Sequence, residues 1–327
     1  MPNILRSLRR RILTPNVSAV RLDVRGFHRK NLDAQQLLET IGRVFLDGYG
    51  EAAEASTGQD VEDRLEELPA QWRGFAYEGA AMGFAVRDGL PVGGNRHVAE
   101  FLAGPTARNH HYIAQCGVGW AMARLPRFRW PDSERTDPLL RWLVLDGYGF
   151  HQAYFHTDRY VRKHYRQPNF PWPRGGPAWY ADRAIDQGIG RALWFVGGTD
   201  VDVVTGLLEK FPEARHADLY AGVGLAATFA GGVTAAELRA LADRAGAYRP
   251  QLAQGSAFAA EARVRADILV PHTAVATEVF CGTTPQLAAA VTQELLPDPV
   301  VDGEVPAYER WRQAVARRFA ETRRAAR

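Results

Sequence analysis

Glycine and alanine set inside stretches of helical periodicity constrain this chain more than any other feature. The run Tyr77-Glu-Gly-Ala-Ala-Met-Gly-Phe84 has the texture of a helix stripped of bulk on one side. Each glycine costs a helix up to about 1 kcal/mol relative to alanine. Such a segment stays helical only if close backbone packing, or a ligand lying along it, offsets that cost. The surrounding sequence is helical in its spacing. Leu37, Leu38, Ile41, Val44 and Phe45 recur through 33–45, and Val204, Leu207, Leu208 and Phe211 through 201–211. Trp311, Val315 and Phe319 fall on one face of 307–324, with arginines on the others. Thr234 and Glu237 form a capping-box signature ahead of Leu238 and Leu241. The expectation is a mostly α fold. A few short strands are also expected, with 19–24 and 262–270 the best candidates.

An internal echo suggests two similar helical halves, each built on a small-residue central helix. Phe45-Leu-Asp-Gly48, Pro69 and Gly79 find counterparts in Phe195-Val-Gly-Gly198, Pro212 and Gly222, and Tyr77 matches Tyr220. A weaker third copy runs from Phe101-Leu-Ala-Gly104 to Cys116-Gly-Val-Gly-Trp120. Between the halves lies Gln167-Pro-Asn-Phe-Pro-Trp-Pro-Arg-Gly-Gly-Pro-Ala-Trp-Tyr180, whose four prolines forbid helix. The chain thus divides into a basic N-terminal segment (1–30), a first helical half (31–166), a crossing segment (167–180), a second half (181–305) and a basic C-terminal helix (306–327).

The charge is distributed unevenly. Residues 1–30 carry eight basic groups and one acidic, and 306–327 carry seven arginines and two glutamates, leaving 31–305 at −9 within an overall +3. An acidic body argues against a nucleic-acid enzyme, which more often carries its basic patch on the folded body. The basic ends read most simply as solvated terminal helices. Two cysteines, Cys116 and Cys281, read as buried thiols in a reducing compartment. No apolar segment follows the basic start, so a cytoplasmic protein is expected. Residues 219–236 are uncharged over a span-length stretch but are mostly glycine, alanine and threonine, which favours a buried central helix over a membrane span.

Phosphate-loop, nucleophile-elbow, Cys-x-x-Cys and His-Glu-x-x-His signatures are all absent, so no cofactor is expected. What remains are isolated polar residues in apolar runs. Glu78, Asp146 and Glu278 are candidate buried carboxylates, and burial makes a carboxyl a usable acid or base near neutrality. His151 and His156 follow Asp146 closely. With Asp158 they form an alternative metal set, although i, i+5 and i+7 do not align on one helix face. Tyr77, Gly79, Gly83, Phe84, Trp120 and Phe150, with Phe75, would floor and wall a groove for a flat or rod-shaped apolar ligand.

Several long strings carry a resemblance. Tyr77-Glu-Gly-Ala-Ala-Met82, Gly117-Val-Gly-Trp-Ala-Met-Ala-Arg-Leu-Pro126, the stretch from Asp137 to His151 and that from Asp218 to Gly232 resemble the UnbL-type proteins of enediyne biosynthetic gene clusters. Leu8-Arg-Arg-Arg-Ile-Leu-Thr-Pro15 and Arg25-Gly-Phe-His28 fit as well, and the likeness runs from about residue 8 to about 295. It implies a setting beside an iterative polyketide synthase and its thioesterase, which make a long conjugated polyene. The implied role is to mature that polyene, by cyclisation, isomerisation or dehydrogenation, with other enediyne-cluster proteins as partners. In that setting Glu78 would be the acid or base, His151 and His156 would shuttle protons and Asp146 would orient one of them. The alternative is a non-catalytic protein that shields the lipophilic polyene and hands it on. Neither nucleic acid nor a membrane span is expected. The oligomeric state stays open, a homodimer among the alternatives.

Overall fold

The structure is a computed structural model describing residues 3–91, 94–132, 136–173 and 176–325. Residues 174 and 175 of the crossing segment, and the outermost residues of both basic ends, lie outside the described residues. Every regular element described is helical. The α-helices are α1 (Asn3–Leu13), α2 (Leu22–Arg25), α3 (Leu32–Glu54), α4 (Gly58–Glu66), α5 (Ala70–Asp88), α6 (His97–Leu102), α7 (His111–Met122) and α8 (Arg141–Phe155). They continue as α9 (Tyr180–Val196), α10 (Val201–Leu208), α11 (His216–Ala230), α12 (Ala235–Ala245), α13 (Arg249–Arg265), α14 (Pro271–Cys281), α15 (Pro285–Glu294) and α16 (Ala307–Ala325).

The strand candidates are corrected. Residues 19–24 form a helical turn and α2, and 262–270 form the end of α13 and a turn. Val20 and Leu22 alternate with exposed neighbours because they plug the core at a bend, not because a sheet pairs there. In the second stretch Arg263 donates to the carbonyls of Phe229 and Ile268, turning the chain back onto α11. Thr234 and Glu237 do form a reciprocal capping box at the start of α12. The crossing segment is free of α-helix up to Tyr180 among its described residues.

Seven helices make the centre: α3, α5, α7, α8, α9, α11 and α13, each lying against the next in chain order. Glycine is the reason they can. Across successive crossings, a Cβ added to Gly79 would meet the carbonyl oxygen of Phe45 at 1.9 Å, and one on Gly117 that of Glu78 at 2.2 Å. The same holds for Gly147 on Cys116 (1.9 Å), Gly188 on Asp146 (1.8 Å), Gly222 on Gln187 (2.0 Å) and Gly255 on Ala221 (1.9 Å). These first glycines face the preceding helix. A second glycine two residues on faces the following one: Gly119 on Val144, Gly149 on Ile185, Gly190 on Leu219 and Gly224 on Leu252. The sequence echo therefore belongs to a unit repeated along the row of central helices, in which Gly79 and Gly222 hold equivalent places. The row curls on itself: Phe75 of α5 meets Phe229 of α11 edge to face at 5.0 Å.

One apolar cluster runs from Val20 to Phe319 and spans both expected halves. Residues 219–236 contain the buried α11, which ends at Gly231 and Gly232, both with positive φ. Among the described residues no helix is long and apolar enough to cross a membrane.

The glycine crossings reverse the usual helix-propensity rule. Gly188→Ala should destabilise the chain by roughly 1–3 kcal/mol, because two backbones must part to admit one methyl. Gly206→Ala in α10, where an added Cβ meets nothing within 4 Å, should stabilise it by about 0.5–1 kcal/mol. Urea unfolding of the two variants checks the opposite signs.

Candidate functional site

The residue immediately before the first glycine of a unit projects toward the inside of the curled row. In α5, α7 and α8 these residues are Glu78, Cys116 and Asp146, and all three converge on one cation, Arg191 of α9. The Arg191 guanidinium donates to Asp146 Oδ1 at 2.5 Å and to Glu78 Oε1 at 3.3 Å. It also stands 5.1 Å from the Phe150 ring centroid. The Cys116 thiol donates to Asp146 Oδ1 at 3.7 Å. All four polar groups are buried. Burial pushes the Glu78 carboxyl above the usual carboxylate range; Arg191 opposes that shift and the Asp146 charge adds to it. Burial pushes the Cys116 thiol well up, so it stays protonated. The neighbouring carboxylates hold Arg191 firmly charged against its own desolvation.

Two narrow apolar cavities meet at this cluster, and Glu78 and Arg191 line both. The first lies between α7, α11, α13 and α16, with Phe258, Tyr308 and Trp311 among its walls. The second lies behind α3, with Phe45, Phe75, Trp120, Phe150 and Phe195 as aromatic walls. Trp120 packs on Phe45 at 4.5 Å and on Phe150 at 5.0 Å. Glu261, in the wall of the first cavity, accepts from Gln293 at 2.7 Å, and burial raises its carboxyl to about 7.

The residues expected from the sequence separate into groups. Glu78, Trp120 and Phe150, with Phe75, line the second cavity. Asp146, expected to orient a histidine, is held by Arg191. Gly79 and Gly83 face α3, where added Cβ atoms would meet Phe45 O at 1.9 Å and Tyr49 O at 2.7 Å. The groove floor expected there is thus a helix–helix contact. Tyr77 donates to Glu66 at 2.8 Å and stacks on His110 at 3.8 Å, while Phe84 packs on Phe101 at 4.9 Å. Both belong to the side of α5 turned from the cavities. Glu278 is exposed, which corrects its reading as a buried carboxylate: it sits on the outer face of α14.

His151 is buried against Trp120, with ring centroids 5.5 Å apart, and burial pushes it down to about 3. His156 is exposed, its ring 6.4 Å from that of His151. Asp158 is exposed and pairs with Lys163 at 2.6 Å. Among the described residues no group of three His, Cys, Asp or Glu side chains could hold a metal ion.

Sequence reasoning missed Arg191, Cys116 and Glu261. The signal for Arg191 was a lone cation directly after Gly188-Ile-Gly190, in a segment otherwise suited to burial. Glu261 stands alone in Ala259-Ala-Glu-Ala262.

No curated protein and no solved structure matches the chain. A family model described as a protein of unknown function, DUF1702, matches residues 4–319, which takes in every central helix and the wall formed by α16. The chain belongs to the DUF1702 family of proteins of unknown function.

Proposed function

We propose that this protein is an enzyme of enediyne biosynthesis that acts by proton chemistry on a polyketide-derived polyene. The observation that carries the reading is the place of Glu78: a carboxyl raised by burial, paired with Arg191, at the junction of two aromatic-walled cavities. A conjugated polyene is a slender apolar rod that suits the apolar walls on either side of Glu78, and the two cavities, about 40 and 60 Å³, would have to widen to admit it. The substrate class in this reading rests on the resemblance of those strings to UnbL-type proteins.

In this reading Glu78 donates or takes the proton at the polyene. Arg191 holds the carboxyl in place and offsets its charge, and Asp146 in turn fixes Arg191. His151, neutral at physiological pH, packs behind Trp120 and supports the cavity wall there. Cyclisation and isomerisation are both within reach of such a pair, since each needs only a proton placed and a proton removed.

The second reading is a binding protein that shields the polyene and passes it to tailoring enzymes. What favours it is that Arg191 already pairs with both carboxylates, as it would in a purely structural cluster.

The synthase–thioesterase pair incubated with this protein should yield a new polyene product or isomer by mass spectrometry. Glu78→Gln, which keeps the shape and leaves Arg191 paired with Asp146, should slow that conversion by about 10²–10⁴-fold. Unchanged conversion with Glu78→Gln would remove the proton chemistry. Intact polyene co-purifying with the protein, and no new product, would establish the binder.

Burial also sets a pH dependence. His110 and His151 are both pushed to about 3 when folded, below the 6.5 of the unfolded chain. Their contribution to stability is therefore complete above about pH 6.5 and lost progressively as pH falls toward 3. Unfolding free energies from urea titration at pH 7 and pH 4.5 should differ by less in His151→Phe than in the parent chain, by on the order of 2 kcal/mol.

A further inference from the structure

The N-terminal helix is mounted inside out. Its polar side chains face the protein: Ser7 donates to Glu54 at 2.8 Å, Arg10 pairs with Glu51 at 2.8 Å and Glu54 at 3.0 Å, and Arg9 donates to the carbonyls that end α3. Its large apolar side chains face out. Ile4, Leu5, Leu8 and Ile12 are 80%, 51%, 48% and 70% exposed, at spacings that put them on one stripe. Only Leu13 of its large apolar residues turns to the core. A helix in a water-facing position would have the opposite orientation.

The arrangement extends beyond α1. The chain from α1 to α2 lies along α3 as an outer layer, from Glu54 at one end through Val20 on Gly42 to the Leu22 amide on Glu39. Val17 and Val24 are exposed on this layer as well. The exposed Arg11 and Arg29 belong to it, and Arg25 stands 5.2 Å from the Phe155 ring. Beneath it is the second cavity, for which Val20, Phe45 and Phe155 are wall residues.

We propose that this layer docks on an anionic lipid bilayer, with α1 lying in the interface plane and its isoleucines and leucines inserted at the headgroup boundary. Charge selects this occupant. Of the +7 carried by residues 1–30, Arg9, Arg10, Arg21 and Lys30 are bound within the protein, while Arg11 and Arg29 are exposed and Arg25 is half-buried; residues 31–305 carry −9, so anionic headgroups attract the exposed arginines of the layer and repel the body. An apolar stripe flanked by arginine on a short helix is the form that binds at a membrane surface without spanning it. This inference is independent of what occupies the cavities.

The test is flotation of the full chain with vesicles of equal parts phosphatidylglycerol and phosphatidylcholine, and with phosphatidylcholine alone. The chain should float with the anionic vesicles at low salt, bind the neutral ones far less and come off as salt is raised. Leu8→Glu with Ile12→Glu, both at exposed positions, should cut anionic-vesicle binding roughly tenfold or more with helix content unchanged by circular dichroism. Arg11→Glu, which spares the stripe, should weaken binding to a lesser degree. Failure of the parent chain to float with anionic vesicles overturns the proposal, as does equal flotation of the double variant. A dimer in sedimentation that the double variant splits, with no vesicle binding, assigns the stripe to self-association instead.

Discussion

Backbone contact at glycine is the interaction on which the rest of this molecule depends. At each central crossing a carbonyl oxygen of one helix sits where a side chain of the next would begin. The glycine Cα hydrogen is left directed at that oxygen, a weak contact that recurs down the row. Small residues at close crossings are the device by which helices approach within reach of such contacts. Each glycine costs its helix some stability, and the close packing of the neighbouring backbone offsets it. In α7, α8, α9 and α11 one glycine faces back and the next but one faces forward, so each of these helices is held from both sides. The regularity of that pattern makes the row curl and leaves an inside.

What fills the inside follows from the same geometry. The positions just before the first glycines point inward, and they are mostly polar: Glu78, Cys116, Asp146, Gln187 and Gln254. A buried charge without a partner is prohibitive, so each carboxylate found there is met by a cation. Arg191 serves Glu78 and Asp146. Arg312, from α16, serves Asp218 at 2.9 Å and Glu309 at 2.7 Å and donates to Gln254. Buried arginine also ends helices. Arg87 donates to Ala52 and Ala55 at the close of α3, and Arg263 to Phe229 at the close of α11. Each stands eight residues past the first glycine of its own helix, so the repeat carries its capping cation with it at these two units.

Much of this was legible from the residues. Helical spacing marked the helices, the Thr234 capping box marked one start, and the prolines of the crossing segment marked an interruption. The two strand candidates misled because a short alternating stretch fits any bend that plugs two side chains into a core, as Val20 and Leu22 do. Gly79 and Gly222, paired in the echo, each meet the backbone of the preceding central helix. Glu78 and Asp146 stood out as carboxylates in apolar runs, and both are buried. Glu278 stood out for the same reason and is exposed, because an apolar run three or four residues long does not say which face of a helix it covers.

Local sequence determined which segments are helices, where several begin and end, and which of them lack bulk. It could do so because propensity, capping and periodicity act within a few residues of chain. Tertiary structure alone decided that Gly79 and Gly83 lie against the backbone of α3. It alone decided that Arg191 reaches Glu78 across 113 residues of sequence. It also decided that α1 turns Arg9 and Arg10 inward and its isoleucines out. Each of these depends on which face of one helix meets which face of another. A helix has the same local sequence whichever way it is turned, so only the neighbour it packs against settles the choice.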